Sequence, residues 1–194
     1  MEATGTQAGK EKQILAAARR IFATTGYYQA RVEDIAREAG IGKGTVYEYF
    51  TSKEELYLQM LLEIADSYAS GLAEVIGRPG DLREKLLGIG RHLRDFLQEH
   101  GQLARMFLQD PGPVNRKLQD HLLQIRRETV QQVEKLLAAG AAAGHMRPVD
   151  TGVAARFFLG GLAGVLLPGL IEELAPPEAL AMTVDIFLQG IDSS

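Results

Sequence analysis

Apolar residues recur three or four positions apart along most of the chain, which is the spacing of α-helices that bury one face. In the first such stretch, residues 10–25, the side chains of Ile14, Ala18, Ile21 and Phe22 fall on one stripe. Similar stretches predict helices over residues 32–39, 43–50, 53–76, 81–99, 102–109, 113–139, 151–167 and 177–191. The pattern therefore predicts an all-α fold of nine helices without strands.

Residues with strong preferences for helix ends mark several of these boundaries. Gly26 and Gly40 stand where the first two helices should stop, because glycine readily adopts the left-handed backbone that ends a helix. Ser52 and Glu55 have the spacing of a capping box, which predicts the start of the long helix over residues 53–76. The chain is thereby expected to contain one short helical unit followed by a longer one.

The segment GIGKGTVYEYF, residues 40–50, combines glycines with a lysine and raises the question of a phosphate-binding loop. A Walker loop needs a glycine five residues before its Gly-Lys pair and a hydroxyl residue after it, but Arg37 and Gly44 occupy those positions. A dinucleotide fingerprint needs a third glycine where Thr45 stands, and both loops must follow a strand. These departures exclude a nucleotide loop.

A helix-turn-helix accounts for the same segment better. Two short helices meet at a glycine turn, and Val46 and Phe50 lie four apart on the face expected to be buried. The second helix of such a unit lies in the DNA major groove, with its N-terminal residues at the base edges. The outward face would then present Lys43, Thr45, Tyr47 and, in part, Tyr49 to DNA. Tyr49 has the alternative of packing half-buried beside Phe50.

Lys53 stands at the first position of the long helix, where a cation opposes the helix dipole by about 0.3–1 kcal/mol. That placement is favourable when an external phosphate binds both the lysine and the free helix N–H groups. The alternative is a long side chain that extends into water and tolerates the position.

The run ILAAARRIFATTGYYQARVEDIAREAGIGKGTVYEYFTSKEELYLQML resembles the N-terminal domain of the TetR family of bacterial transcriptional repressors. The resemblance covers about residues 10–62 and rests on a long motif, helix one ending in F..TGY followed by V.DIA..AG...GT.Y.YF..KE.L. It implies a homodimer with one DNA-binding domain per subunit and a C-terminal helical domain that binds a small-molecule effector. Operator DNA, an effector of unidentified chemistry and a second copy of the chain are therefore the expected partners.

The same resemblance assigns roles by position in the motif. Lys43, Gly44, Thr45 and Tyr47 fall where the family touches bases and neighbouring phosphates, and Tyr49 and Lys53 fall at its backbone-contact positions. The family often has Thr or Ser at the entry to its second helix, but this sequence reads Ala30-Arg31-Val32. We expect weaker capping there and expect Arg31 to contact phosphate or a groove edge.

The expected domains are a disordered tail over residues 1–9, a helix-turn-helix domain over 10–52 and an effector-binding and dimerisation domain over 53–194. The last two helices are the pairing surface that the family resemblance implies. The residues expected to form the dimer interface are Phe158, Leu162, Leu166, Val184 and Phe187. The residues expected to line the effector pocket, with plain core as the alternative, are Tyr68, Phe96, Met106 and Phe107.

Composition agrees with this division without proving it. The net charge is −4, but residues 1–53 carry +2 and residues 54–194 carry −6. The chain has no cysteine, which fits a reducing, cytoplasmic compartment, and its start has no apolar signal segment. The uncharged run over residues 157–171 is shorter than the roughly 20 residues of a membrane span, so we expect a buried helix instead.

The sequence therefore predicts a ligand-responsive DNA-binding regulator, a repressor that binds a palindromic operator as a dimer and is released by its effector. Two other classes stay open, an all-α enzyme and a non-catalytic helical adaptor that uses the C-terminal pocket. No nucleophile elbow, HExxH pattern or paired carboxylate motif is present, so we predict no catalytic site, no metal and no cofactor.

Overall fold

The computed structural model describes residues 3–109, 112–144, 146–167 and 176–191, without the side chains of residues 3–6, 106–109 and 177. Over this part of the chain the structure is all-helical, as the sequence predicted. Its eight helices are α1 (Ala3–Gln29), α2 (Val32–Glu38), α3 (Lys43–Tyr49), α4 (Lys53–Gly77), α5 (Leu82–Gln109), α6 (Arg116–Ala142), α7 (Thr151–Leu166) and α8 (Pro177–Ile191).

The predicted count of nine helices is wrong because two of them are one. Helix α5 runs without a break through Gly101, where the sequence suggested an end near residue 99 and a new start at 102. Glycine costs only about 1 kcal/mol in a helix interior. Gly101 is not among the glycines with positive φ, so the chain has no reason to turn there.

Helix α1 begins at Ala3 rather than at residue 10, so residues 3–9, expected to form a disordered tail, are helical. Adding a residue to an existing helix costs far less than starting a new one, which explains the extension through an exposed polar segment. Near its other end the helix is kinked at Gly26, whose φ of 80° and ψ of 163° lie outside the helical region. The predicted break at Gly26 is therefore present, followed by one further turn to Gln29.

The chain divides into two compact units that differ from the predicted boundary at residue 52. The first unit joins residues up to Ala65 with Gln102–His121, and the second joins Asp66–Gly101 with Leu122 onwards. The first unit thus holds α1, α2 and α3 together with the start of α4 and the junction between α5 and α6.

The core of the first unit forms under the two short helices. Ile14 and Phe22 from α1, Ile35 from α2, and Val46 from α3 with Phe50 just beyond its end are at most 3% exposed. Burying an aliphatic or aromatic side chain of this size contributes about 1.5–3 kcal/mol. This packing holds α2 and α3 in place, since a seven-residue helix has little stability of its own.

The core of the second unit is aliphatic and comes mostly from its later helices. Its largest fully buried side chains include Phe158 and Leu162 of α7, Leu72 of α4 and Leu86 of α5. The start of α7 is capped by Asp150, whose carboxylate accepts a hydrogen bond of 2.8 Å from the Val153 amide. Asp81 and Glu84 form a capping box at the start of α5, since the Asp81 carboxylate accepts from the Glu84 amide at 2.8 Å and the Glu84 carboxylate accepts from the Asp81 amide at 3.1 Å.

The turn between α2 and α3 is fixed by backbone hydrogen bonds. Gly40 has a φ of 66°, and its amide donates to the Arg37 carbonyl while the Ile41 amide donates to the Ala36 carbonyl at 3.0 Å. This pair of bonds is a Schellman motif, which satisfies the last carbonyls of α2. After this motif the chain leads directly into α3.

None of the helices in the described ranges combines the length and apolar character needed to cross a membrane. The apolar run over residues 157–171 contributes to α7, which ends at Leu166.

Candidate nucleic-acid interface

Helix α3 presents a polar outer face over a buried inner one. Val46 is 1% exposed, whereas Tyr47 is 44% exposed and Lys43 and Gly44 are also exposed. Thr45 is half-buried. A Cβ atom added at Gly44 would meet no heavy atom within 4 Å, so the backbone there is open to approach. The structure thus brings four of the predicted contact residues together on one short helix.

Lys43 is held by a carboxylate of the neighbouring helix. Its Nζ donates to Oε1 of Glu33 at 2.6 Å and lies 5.7 Å from the ring centroid of Tyr47. The hydrogen bond to Glu33 raises the pKa of Lys43, and the same bond lowers the pKa of Glu33. Both side chains are therefore charged at neutral pH, and they form an exposed ion pair between α2 and α3.

Arg31 occupies the N-cap position of α2 with an extended backbone, φ −113° and ψ 142°, and its side chain makes no capping hydrogen bond. The weakened capping expected from the sequence is therefore present. The side chain is exposed beside Glu33, and its charge contributes to the lowered pKa of that carboxyl. A guanidinium on this surface suits a phosphate oxygen.

Tyr49 is half-buried and packs against the core of the first unit, the alternative that the sequence left open. Its predicted role as a backbone contact remains a prediction.

The Lys53 side chain does not extend into water, the alternative considered from the sequence, and its predicted contact with phosphate stays a prediction. Its Nζ donates to the carbonyl oxygens of Tyr27 at 2.8 Å, Ala30 at 3.1 Å and Tyr28 at 3.4 Å. The same atom lies 4.4 Å from the ring centroid of Tyr27, close enough for a cation–π interaction. The lysine therefore ties the first turn of α4 to the carbonyl end of α1, where the helix dipole favours a cation.

The aromatic ring of Tyr27 lies at the centre of this junction. It contacts the rings of Tyr57 at 4.9 Å, Tyr28 at 5.3 Å and Phe22 at 6.0 Å between centroids. Burial and then the charge of Glu54 raise the pKa of its phenol, so the hydroxyl stays neutral at physiological pH. A neutral ring leaves the cation of Lys53 attracted to its face.

Two of the predicted pocket residues meet in the second unit, but they belong to a longer aromatic row. Tyr68 of α4 lies 4.9 Å from Phe96 of α5, and two histidines extend the row, His92 on Tyr68 at 5.0 Å and His100 on Phe96 at 4.6 Å. The spacing of four residues from His92 to Phe96 and again to His100 could have predicted that these three side chains share one face of α5. The side chains of Met106 and Phe107 lie outside the described residues.

A surface pocket of about 510 Å³ lies between α4 and α5 near this row, and its lining is mostly charged. Arg78, Lys85 and Arg91 line it together with Glu84 and Asp95, and of the row only His92 reaches it. The predicted pair Tyr68 and Phe96 does not line this pocket.

The predicted dimer residues are core residues of one protomer. Phe158, Leu162, Leu166, Val184 and Phe187 are between 0% and 5% exposed, and all but Leu166 pack in the core of the second unit. Helix α7 is apolar on nearly all sides, so its helical period fits more than one stripe.

A different apolar stripe of the same two helices is exposed. On α7 it contains Val153, Phe157, Gly160, Gly164 and the following Leu167, spaced alternately four and three residues apart. Phe157 is 71% exposed. On α8 the exposed apolar side chains are Met182 and Ile186. Exposed apolar side chains grouped on one face of a helix are candidates for a protein–protein contact.

Among the residues that the structure describes, no group of three or more His, Asp or Glu side chains is placed to hold a metal ion.

The sequence matches two family models that describe one kind of regulator. Residues 14–60 match the model for bacterial regulatory proteins of the tetR family. Residues 79–167 match the model for tetracyclin repressor-like C-terminal domains. The first match contains α2, α3 and the start of α4, and hence the exposed face of α3.

Two curated relatives share about a third of their residues with this chain over the aligned part. The HTH-type transcriptional activator FasR of Mycolicibacterium smegmatis is 35% identical over 86 residues, which is 44% of this chain and 39% of the relative. The fatty acid metabolism regulator protein of Bacillus subtilis is 34% identical over 92 residues, 47% of either chain. The aligned part thus spans less than half the length of both relatives.

Solved structures of similar proteins cover nearly the whole chain. The fatty acid degradation regulator FadR from Bacillus halodurans has a TM-score of 0.74 at 24% identity, covering 93% of this chain and 95% of that one. The transcriptional regulator FadR from Bacillus subtilis, solved with stearoyl-CoA, has a TM-score of 0.70 at 22% identity, covering 94% and 97%. At this identity the likeness establishes the fold.

We predict that Lys53→Met lowers the free energy of unfolding by about 1–2 kcal/mol, because it keeps the aliphatic stem but removes a cation from several carbonyl acceptors. Lys43→Met is the matched control, since its ammonium has only one exposed carboxylate partner and its loss should cost less. Urea unfolding followed by circular dichroism measures both. Equal midpoints for the two variants would contradict a structural role for Lys53.

Proposed function

Because the chain belongs to the TetR family of bacterial regulatory proteins, we propose that it is a ligand-responsive transcriptional regulator that binds a palindromic operator as a homodimer. The observation that carries the proposal is the outer face of α3, a polar and exposed surface on a helix whose inner face is buried. Tyr47 and Lys43 on this face are types that hydrogen-bond phosphate oxygens, and Thr45 can contact a base edge or a thymine methyl group.

The dimensions of α3 suit a major groove. Seven residues at 1.5 Å each give a rod about 10 Å long, and the groove is about 12 Å wide. Gly44 lets the backbone approach the duplex, and Arg31 adds a cation at the start of α2 for a flanking phosphate. Tyr49 remains at the margin of this surface, with its half-buried ring positioning its hydroxyl.

Lys53 supports DNA binding in a different way from that expected. Because its ammonium donates to carbonyls at the end of α1, we propose that it orients the helix-turn-helix on α4, and that contact with a phosphate is secondary. The residue is then a positioning residue for the DNA-binding surface.

The exposed stripe on α7 and α8 is the proposed dimer interface. Two copies related by a two-fold axis would form a four-helix bundle in which Phe157 and Ile186 exchange water for apolar neighbours. The glycines at 160 and 164 have open space around their Cα atoms, so the two copies of α7 can pack closely. This interface uses a different face of α7 and α8 from the buried residues that the sequence predicts.

We further propose that the effector is a fatty acyl-CoA and that it releases the protein from its operator. One relative is named for fatty acid metabolism, and one structural neighbour was solved with stearoyl-CoA. An effector can shift the protein between states only by binding one of them more tightly. By linkage, operator DNA must then weaken effector binding by the same factor.

Thr45→Ala should weaken binding to the operator by about three- to tenfold and relax the preference at one base-pair position. Thr24→Ala is the matched control, because Thr24 is an exposed threonine on α1 of the same unit. Fluorescence anisotropy with the region upstream of the protein's own operon, and with duplexes changed at single base pairs, measures both. Identical affinities and base preferences for the two variants would remove Thr45 from the interface.

Phe157→Glu should convert the dimer to a monomer while leaving the helix content unchanged, since Phe157 contributes nothing to the protomer core. Leu123→Glu is the control, because Leu123 is 49% exposed on α6, which is not one of the two helices of the proposed interface. Sedimentation velocity gives the mass of each. A Phe157→Glu variant that stays dimeric would contradict the interface.

Long-chain acyl-CoA should bind the free protein more tightly than the operator complex, and coenzyme A alone should show a much smaller difference. Calorimetric titration with stearoyl-CoA, with and without operator duplex, measures the two affinities. Equal affinities would contradict control by this effector, and tighter binding to the complex would show an activator rather than a repressor.

A further inference from the structure

We propose that Glu33 competes with DNA for Lys43 and thereby sets the strength and the salt dependence of DNA binding, an inference that rests on the proposed DNA-binding function. Glu33 carries a charge that repels phosphate when no cation offsets it. Its position in the structure gives that charge a definite partner.

The two side chains are placed for exchange. Lys43 is the first residue of α3 and Glu33 lies in the first turn of α2. Their Nζ and Oε1 atoms are 2.6 Å apart, and the side chains are 48% and 51% exposed. A pair this open to solvent can separate without unpacking any core residue, and each member can take a new partner from solution.

The surrounding charges show what the exchange would change. Arg31 lies near enough to act on the carboxylate of Glu33, so Arg31, Glu33 and Lys43 form one charged patch with a net charge of about +1. Without Glu33 the patch would carry about +2. A phosphate that approaches Lys43 therefore competes with an acidic side chain that already forms an ion pair with this lysine.

Counterion release supplies a specific signature of this competition. A lysine that binds phosphate normally releases about 0.9 of a cation from the duplex, which steepens the dependence of affinity on salt. In this protein Lys43 must first leave Glu33, and the freed carboxylate then attracts a cation of its own. This uptake offsets part of the release, so Lys43 should add less to the salt dependence while Glu33 is present.

Other ion pairs on α2 give a matched contrast. Asp34 pairs with Arg37 at 3.2 Å on the same helix, and neither belongs to the outer face of α3. Removal of the Asp34 charge changes the net charge as much as removal of the Glu33 charge does. It does not free a cation of the proposed interface.

The test compares Glu33→Gln with Asp34→Asn, each alone and with Lys43→Gln. Affinities for the upstream duplex are measured by fluorescence anisotropy over a series of salt concentrations. We expect Glu33→Gln to tighten binding by about threefold at low salt. We also expect the slope of log affinity against log salt to steepen, by at most about 0.9. Asp34→Asn should leave the slope unchanged, and Glu33→Gln should have little effect once Lys43 is glutamine.

Each contrary result has a distinct meaning. Equal changes in slope for Glu33→Gln and Asp34→Asn would show a general charge effect and overturn the inference. A full effect of Glu33→Gln in the Lys43→Gln background would overturn it as well. If the wild-type protein bound no duplex at any salt concentration, the proposed function itself would be wrong and the inference with it. Thermal unfolding of each variant confirms that a changed affinity is not a loss of fold.

Discussion

Burial of one side of α3 is the constraint on which the remaining structure depends. A helix of seven residues does not persist in water alone, so its shape comes from Val46 on its inner face and Phe50 at its end, both packed in the core of the first unit. The same packing decides which residues remain outside. Because the inner face is apolar and fixed, the polar outer face is presented as a rigid surface, and that rigidity is what recognition of a duplex requires.

The junction around Lys53 and Tyr27 extends this rigidity to the long helices. The ammonium of Lys53 joins α4 to the end of α1. Gly112, in the chain between α5 and α6, packs against Tyr27. A Cβ atom at Gly112 would lie 2.9 Å from that of Tyr27, and its φ of 62° also favours glycine. Helices α4, α5 and α6 each contribute residues to both compact units.

Local signals in the sequence predicted what local chemistry decides. The Gly40 turn, the N-cap of α4 by Ser52 and the buried positions of α3 all follow from residue preferences within a few positions. The other half of the predicted capping box is shifted by one residue, since the Glu55 carboxylate accepts from the Thr51 amide at 2.6 Å. Contacts between residues distant in sequence determined the features that these local signals did not predict. The three carbonyl acceptors of Lys53 come from more than twenty residues away, so a pattern read along the chain could not place them. On α7 the period fitted two apolar stripes, and only the packing of Phe158 distinguishes the core stripe from the exposed one that contains Phe157.

The account depends most on two copies of α3 entering one duplex side by side. Hydroxyl-radical footprinting of the upstream region tests this directly, because it reports which sugar positions the protein covers. The account predicts two protected patches related by a two-fold axis, with their centres about one helical turn, or 34–36 Å, apart or a multiple of that distance. A single patch, or no protection at low salt, would contradict it.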